Sequence, residues 1–104
     1  MLSNMIRQSI LKAKQYPYIL RVGIFGSYAR SEQAKASDLD IIIDYDNSSD
    51  DFLDNLDDFM EDMEIVYGDK IDYVTFPALM GSSDERFKQN VLNDVQWVYV
   101  ANQP

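Results

Sequence analysis

Gly26-Ser27-Tyr28-Ala29-Arg30-Ser31-Glu32-Gln33-Ala34-Lys35-Ala36-Ser37-Asp38-Leu39-Asp40 joins two runs, 18–25 and 38–45, that are rich in β-branched and aromatic residues and read as strands. The first run stops at Gly26. The centre of the second, Ile41-Ile42-Ile43, is apolar on both faces, as in a strand buried within a sheet. Three features coincide in the connection. Gly26 at a strand end lets the backbone come close to a ligand, and Ser27 opening a helical turn supplies a hydroxyl and free N–H groups that suit an anionic phosphate. Asp38 and Asp40 stand two apart on a strand, so their carboxylates leave the same face and can share one divalent cation or bridge two. Taken singly, Gly26-Ser27 is also an ordinary strand-ending turn with a capping serine, and Asp38 and Asp40 a polar strand start. Their conjunction points to phosphate and metal, because an inward-facing carboxylate in an apolar strand is costly unless paired or metal-bound.

Working outward, Ile6, Ile10 and Ala13, with Leu2 and Met5, fall at three- and four-residue spacing and predict a helix over 2–15, ended by Tyr16-Pro17 and capped by Ser3 or Asn4. Beyond the second strand, Ser48-Ser49 offers an N-cap, and Phe52, Leu53, Leu56, Phe59, Met60 and Met63 form a continuous apolar stripe closed by Gly68. The opposite face is acidic, with Asp54, Asp57, Asp58, Glu61, Asp62 and Glu64. It reads either as a solvated outer face or as a docking surface for a basic partner. Asp44 and Asp46 read as solvated. A third strand over 70–76 carries Asp72 between Ile71 and Tyr73 and is broken by Pro77. Ser83 then caps a helix over 84–94, with Phe87, Val91 and Leu92 inward, and 97–100 forms a last short strand. The order predicts an α/β (α+β) fold with a mixed sheet of about four strands and helices packed on it, a single domain over 1–104.

Charge and composition narrow the chemistry. Nine Lys and Arg against 18 Asp and Glu give a net charge of −9, which repels a nucleic-acid backbone and argues against direct nucleic-acid binding. A nucleoside triphosphate is still admissible, because carboxylate-held divalent metal can bring it in. There is neither cysteine nor histidine, which removes thiolate sites, the Ser-His-Asp triad and most zinc sites and leaves carboxylates to carry catalysis. No apolar run approaches the roughly 20 residues of a membrane span, and the N-terminus has no secretory h-region, so a cytoplasmic protein without membrane contact is expected.

Gly-Ser, ten residues, then Asp-x-Asp resembles the signature of the polymerase-beta-like nucleotidyltransferase superfamily. The fuller Gly26-Ser27-x-Ala29-Arg30 with Ser37-Asp38-x-Asp40 resembles its minimal nucleotidyltransferase (MNT) branch over nearly the whole chain. The resemblance implies that Gly26 and Ser27 hold the triphosphate of ATP. It implies that Asp38 and Asp40 bind magnesium, two ions in all, and that Asp72 is the third carboxylate, ligating metal and activating the acceptor hydroxyl. Asp69 competes for that third place. Arg30 either contacts a phosphate or braces a neighbouring carboxylate. Many relatives carry Gly where this chain has Ser31, which leaves every candidate ligand in place.

Members of this branch commonly pair with a HEPN-domain ribonuclease toxin and act as its antitoxin by transferring AMP to a tyrosine on it. The resemblance thus implies a hetero-oligomer with such a toxin. Two alternatives stand beside it: an antitoxin that neutralises by contact alone, and a small-molecule transferase of the aminoglycoside-modifying type, which usually brings a further helical domain.

Overall fold

A computed structural model describes residues 4–29, 38–46, 52–68 and 71–101. Side chains apolar on both faces place two strands at the middle of the sheet. Ile19, Val22, Ile24 and Phe25 are buried along β1 (Ile19–Phe25), as are Leu39, Ile41, Ile42 and Ile43 along β2 (Leu39–Tyr45). The two pair antiparallel, with Val22 opposite Ile43, Ile24 opposite Ile41 and Phe25 opposite Asp40. β3 (Ile71–Thr75) joins β2 in parallel and β4 (Gln96–Val100) joins β1 antiparallel, giving the order β3-β2-β1-β4. The mixed sheet and α/β class expected from sequence are both present. These directions bring the C-terminal end of β1 and the N-terminal ends of the other three strands to one end of the sheet.

Helices cover both faces. On one, α1 (Asn4–Leu11), a 3-10 turn (Lys12–Gln15) and α3 (Phe52–Tyr67) bury Ile6, Ile10, Ala13, Phe59 and Met63 against Val22, Ile24, Ile41 and Ile43. Phe59 and Met63 have no exposed surface, and full burial of such a side chain contributes about 1.5–3 kcal/mol. The apolar stripe therefore holds α3 in place. On the other face, α4 (Phe76–Met80) and α5 (Glu85–Asp94) close over Phe25, Ile42, Leu79 and Val91. Gly23 marks how tightly this layer returns to the sheet, since a side chain there would stand 2.7 Å from Val95 and 3.0 Å from Trp97. Among the described residues no helix is long and apolar enough to cross a membrane.

Several expectations are corrected in detail. The first helix does not run on regularly to residue 15: it tightens into 3-10 geometry after Leu11, and Tyr16 is extended as the residue before Pro17 must be. Pro77 does not simply break the third strand. It lies in the first turn of α4, where a missing N–H costs nothing, and Thr75 caps that helix by accepting from the Ala78 amide at 3.3 Å. Asp84, not Ser83, caps α5, accepting from the Phe87 amide at 3.0 Å. Phe87 is 42% exposed and packs its edge on Phe25. Asp44, expected to be solvated, accepts from Nη2 and Nε of Arg21 at 2.9 and 3.0 Å. The guanidinium of that arginine lies 4.0 Å from the Trp97 ring centre and 4.7 Å from that of Phe76. One charged side chain thus ties β1, β2, β4 and the start of α4 together.

On the opposite face Tyr16 donates its hydroxyl to Oδ2 of Asp62, linking the end of the first helical segment to α3, and its ring meets Phe59 edge-on. That hydrogen bond first, then burial, then the charges of Asp62, Asp58 and Glu61 push the Tyr16 pKa up to about 12 from 10.0. A phenol with a raised folded-state pKa favours folding below its unfolded value and loses that contribution as pH rises through the folded one. Unfolding free energy measured against pH should therefore fall between pH 10 and 12, and fall less in Tyr16→Phe. Parallel curves for the two proteins would show that the bond does not couple to folding.

Candidate active site

The site end of the sheet is organised by one close approach. Gly26 opens the short helix α2 (Gly26–Ala29) at φ +74°, in the left-handed region that other residues occupy only at a cost. A methyl group on it would collide with Oδ2 of Asp40. Glycine is thus required twice, for the backbone angle and for the contact. The reason lies in the pairing of β1 with β2: because the strands run antiparallel and end at Phe25 opposite Asp40, the chain leaving β1 begins its turn beside that carboxylate.

Asp40 is half-buried, and on its other side it stands in register with Asp72 of β3. Register partners on adjacent strands direct their side chains to the same face, so these two carboxylates emerge together with Phe25 on the α4/α5 side. Two like charges placed opposite each other across a strand pair repel, and a cation or proton donor between them relieves that repulsion. Asp44, four residues further along β2 and on the same face, is committed to Arg21 instead, so the acidic groups of this face separate into an ion pair at one end and the Asp40–Asp72 pair at the other.

Asp38 is exposed and lies one residue before β2, which begins at Leu39 and not at residue 38 as the sequence pattern predicts. It adjoins the pair by chain proximity, and no strand geometry fixes its direction. Ser27 has its backbone in α2, whereas the Ser27 side chain, Arg30 and Asp69 lie outside the described residues. Among the described residues, no three carboxylates are gathered closely enough to enclose a metal ion. The described donors, Asp40 with Asp72, suit a hard cation whose remaining ligands come from water or from a bound anion.

Sequence reasoning missed Gln96. Its Nε2 donates to the carbonyl oxygen of Ala29, the last residue of α2, at 2.8 Å, from a position opposite Ile24 on β4. The sequence pattern predicts the last strand over 97–100 and puts Gln96 in a connection, whereas β4 begins at Gln96. Only its polarity between Val95 and Trp97 could have singled it out.

Residues 6–98 match the family profile described as Nucleotidyltransferase domain. A proposed protein adenylyltransferase of Methanocaldococcus jannaschii is 31% identical over 91 residues, spanning 88% of this chain and 91% of that protein. Another from the same organism is 34% identical over 65% of this chain, and that match spans 66% of the relative's length. Among solved structures, a proposed minimal nucleotidyltransferase superposes with a TM-score of 0.64 at 26% identity and covers 86% of each chain. A complex of tri-AMPylated Shewanella oneidensis HEPN toxin with MNT antitoxin contains a chain of the same fold, with a TM-score of 0.60 and 16% identity, covering 98% of this chain and 76% of that one.

The two positive-φ glycines separate backbone strain from close approach. Gly68, at φ +90°, has nothing within 4 Å of a would-be side chain, whereas Gly26 faces Asp40. Gly68→Ala should cost about 1 kcal/mol, the strain of the left-handed region alone. Gly26→Ala should cost about 2–4 kcal/mol, because overpacking against Asp40 is added to the strain. Urea unfolding of both variants checks the order, and equal losses would mean that the contact with Asp40 contributes nothing.

Proposed function

The chain belongs to the nucleotidyltransferase domain family, and from that premise we propose that it transfers AMP from ATP, with magnesium, to a tyrosine hydroxyl of a partner HEPN-domain toxin and so acts as its antitoxin. The observation that carries this reading is the Gly26 turn packed against Asp40, with Asp72 in register beside it. A phosphate-holding turn and a pair of carboxylates then share one end of the sheet.

In this reading Gly26 and Ser27 hold the triphosphate, with Arg30 on a phosphate oxygen, and Asp38, Asp40 and Asp72 hold two magnesium ions together with the nucleotide. Magnesium is commonly bound through one or two carboxylates plus substrate phosphates, which suits a site whose ligand set is completed by the nucleotide. The metal supplies charge neutralisation at the α-phosphate and at the departing pyrophosphate. The protein's own part is placement. The turn fixes the triphosphate in line with the acceptor oxygen, and Asp72 takes the hydroxyl proton as the new O–P bond forms and the α–β bridge breaks. A chain without histidine or cysteine is equipped for such a reaction, in which no nucleophile of the enzyme is needed.

The support for a protein acceptor is the likeness to the M. jannaschii relatives, named for protein adenylylation. Support for the toxin partner comes from the shared fold of the MNT antitoxin complex. The outer face of α3, where Asp57, Asp58, Glu61 and Glu64 are exposed, suits a basic, RNA-binding partner. A second reading is neutralisation by contact alone, through the same exposed acidic face of α3.

Incubation with magnesium, the partner toxin and ATP labelled at the α- or the γ-phosphate distinguishes these readings. Label on the toxin from the α-position only, lost by at least 100-fold in Asp38→Ala/Asp40→Ala, is the expected outcome, in line with removal of groups that act on the transition state. Label from the γ-position would mean phosphoryl transfer. An unlabelled toxin that is still bound and silenced, by the variant as well, would establish contact-only neutralisation.

A further inference from the structure

The Gly26–Ala29 helix is a single turn, with no length of its own to hold its shape, since an isolated helical turn fixes more backbone than its hydrogen bonds repay. Its start is fixed by the approach of Gly26 to Asp40. Its end is held from across the sheet: Gln96, 67 residues later in the chain, donates Nε2 to the Ala29 carbonyl oxygen at 2.8 Å. A carbonyl can only accept, so the amide orientation is fixed by chemistry. The bond meets a main-chain oxygen at a helix C-terminus, a group with no partner inside the helix.

We propose that Gln96 is a positioning residue of the active site, setting the pose of the Gly26–Ala29 turn and hence the affinity for the nucleotide triphosphate. This rests on the reading of Gly26 and Ser27 as the triphosphate-holding groups. Gln96 sits on β4, opposite Ile24 of β1, so it reports the alignment of the edge strand to the turn that leaves β1 one residue beyond Phe25. Its side chain is exposed, and an exposed hydrogen bond contributes little net stability. Loss of the bond therefore changes the turn more than it changes the fold.

Gln96→Glu keeps the length and removes the donor, placing a second acceptor against the carbonyl. Gln96→Ala removes both. In the nucleotide-free protein, amide exchange across Gly26–Ala29 should quicken about threefold to tenfold in either variant, the range given by one neutral hydrogen bond, while exchange in the α3 core is unchanged. With the toxin and ATP, KM for ATP should rise by a similar factor with kcat within about twofold and the melting temperature nearly constant. Unchanged exchange at Gly26–Ala29 would overturn the proposal, whatever the activity. So would quickened exchange with an unaltered KM, or a fall in kcat that tracks a lowered melting temperature. Wild-type protein that transfers no AMP would count against the proposed reaction instead, because the exchange contrast needs no nucleotide.

Discussion

The approach of the Gly26 backbone to the Asp40 carboxylate is the constraint around which the rest is arranged. It exists because β1 and β2 run antiparallel and their register ends at Phe25 opposite Asp40. Gly26 and Asp40, fourteen positions apart in sequence, are thereby brought side by side. The α3 crossover then brings β3 in parallel to β2 and delivers Asp72 to the same end, and the antiparallel return of β4 brings Gln96 there as well. One pairing direction per strand thus assembles donors from four places in the chain.

Rigidity beneath the site comes from burial on both faces of the sheet, with Phe59 and Met63 filling one layer and Leu79 and Val91 the other. Two polar ties among the described residues brace this packing. Arg21 joins Asp44 to the rings of Phe76 and Trp97 at the end remote from the site, and Tyr16 joins the first helical segment to α3. The division of labour is physical. An acidic side chain matched to a guanidinium is held in an ion pair, whereas two carboxylates brought into register repel, and a cation set between them relieves that repulsion.

Much of this was legible beforehand. Both central strands, the α3 stripe and the Gly68 stop follow from side-chain periodicity, and Gly26, Asp40 and Asp72 were picked out by residue type and spacing. What was not legible depends on tertiary neighbours. Nothing in sequence marks the partner of Asp44, and the register with Arg21 commits it to an ion pair. Pro77 signals a break in a strand pattern, but Thr75 ahead of it turns the break into a capped helix. Gln96 serves the site through a main-chain oxygen far away in the chain, a relation with no periodic trace.

On the proposed reading the Gly26 turn and the Asp40–Asp72 pair form one nucleotide-and-metal site. A crystal structure with manganese and a non-hydrolysable ATP analogue, using anomalous scattering to locate the metal, tests it most directly. The expected result is manganese bound by Asp40, with phosphate oxygens of the analogue completing its ligands and the triphosphate lying along the Gly26–Ser27 backbone. A triphosphate seated elsewhere, or manganese bound without Asp40, would overturn that assignment.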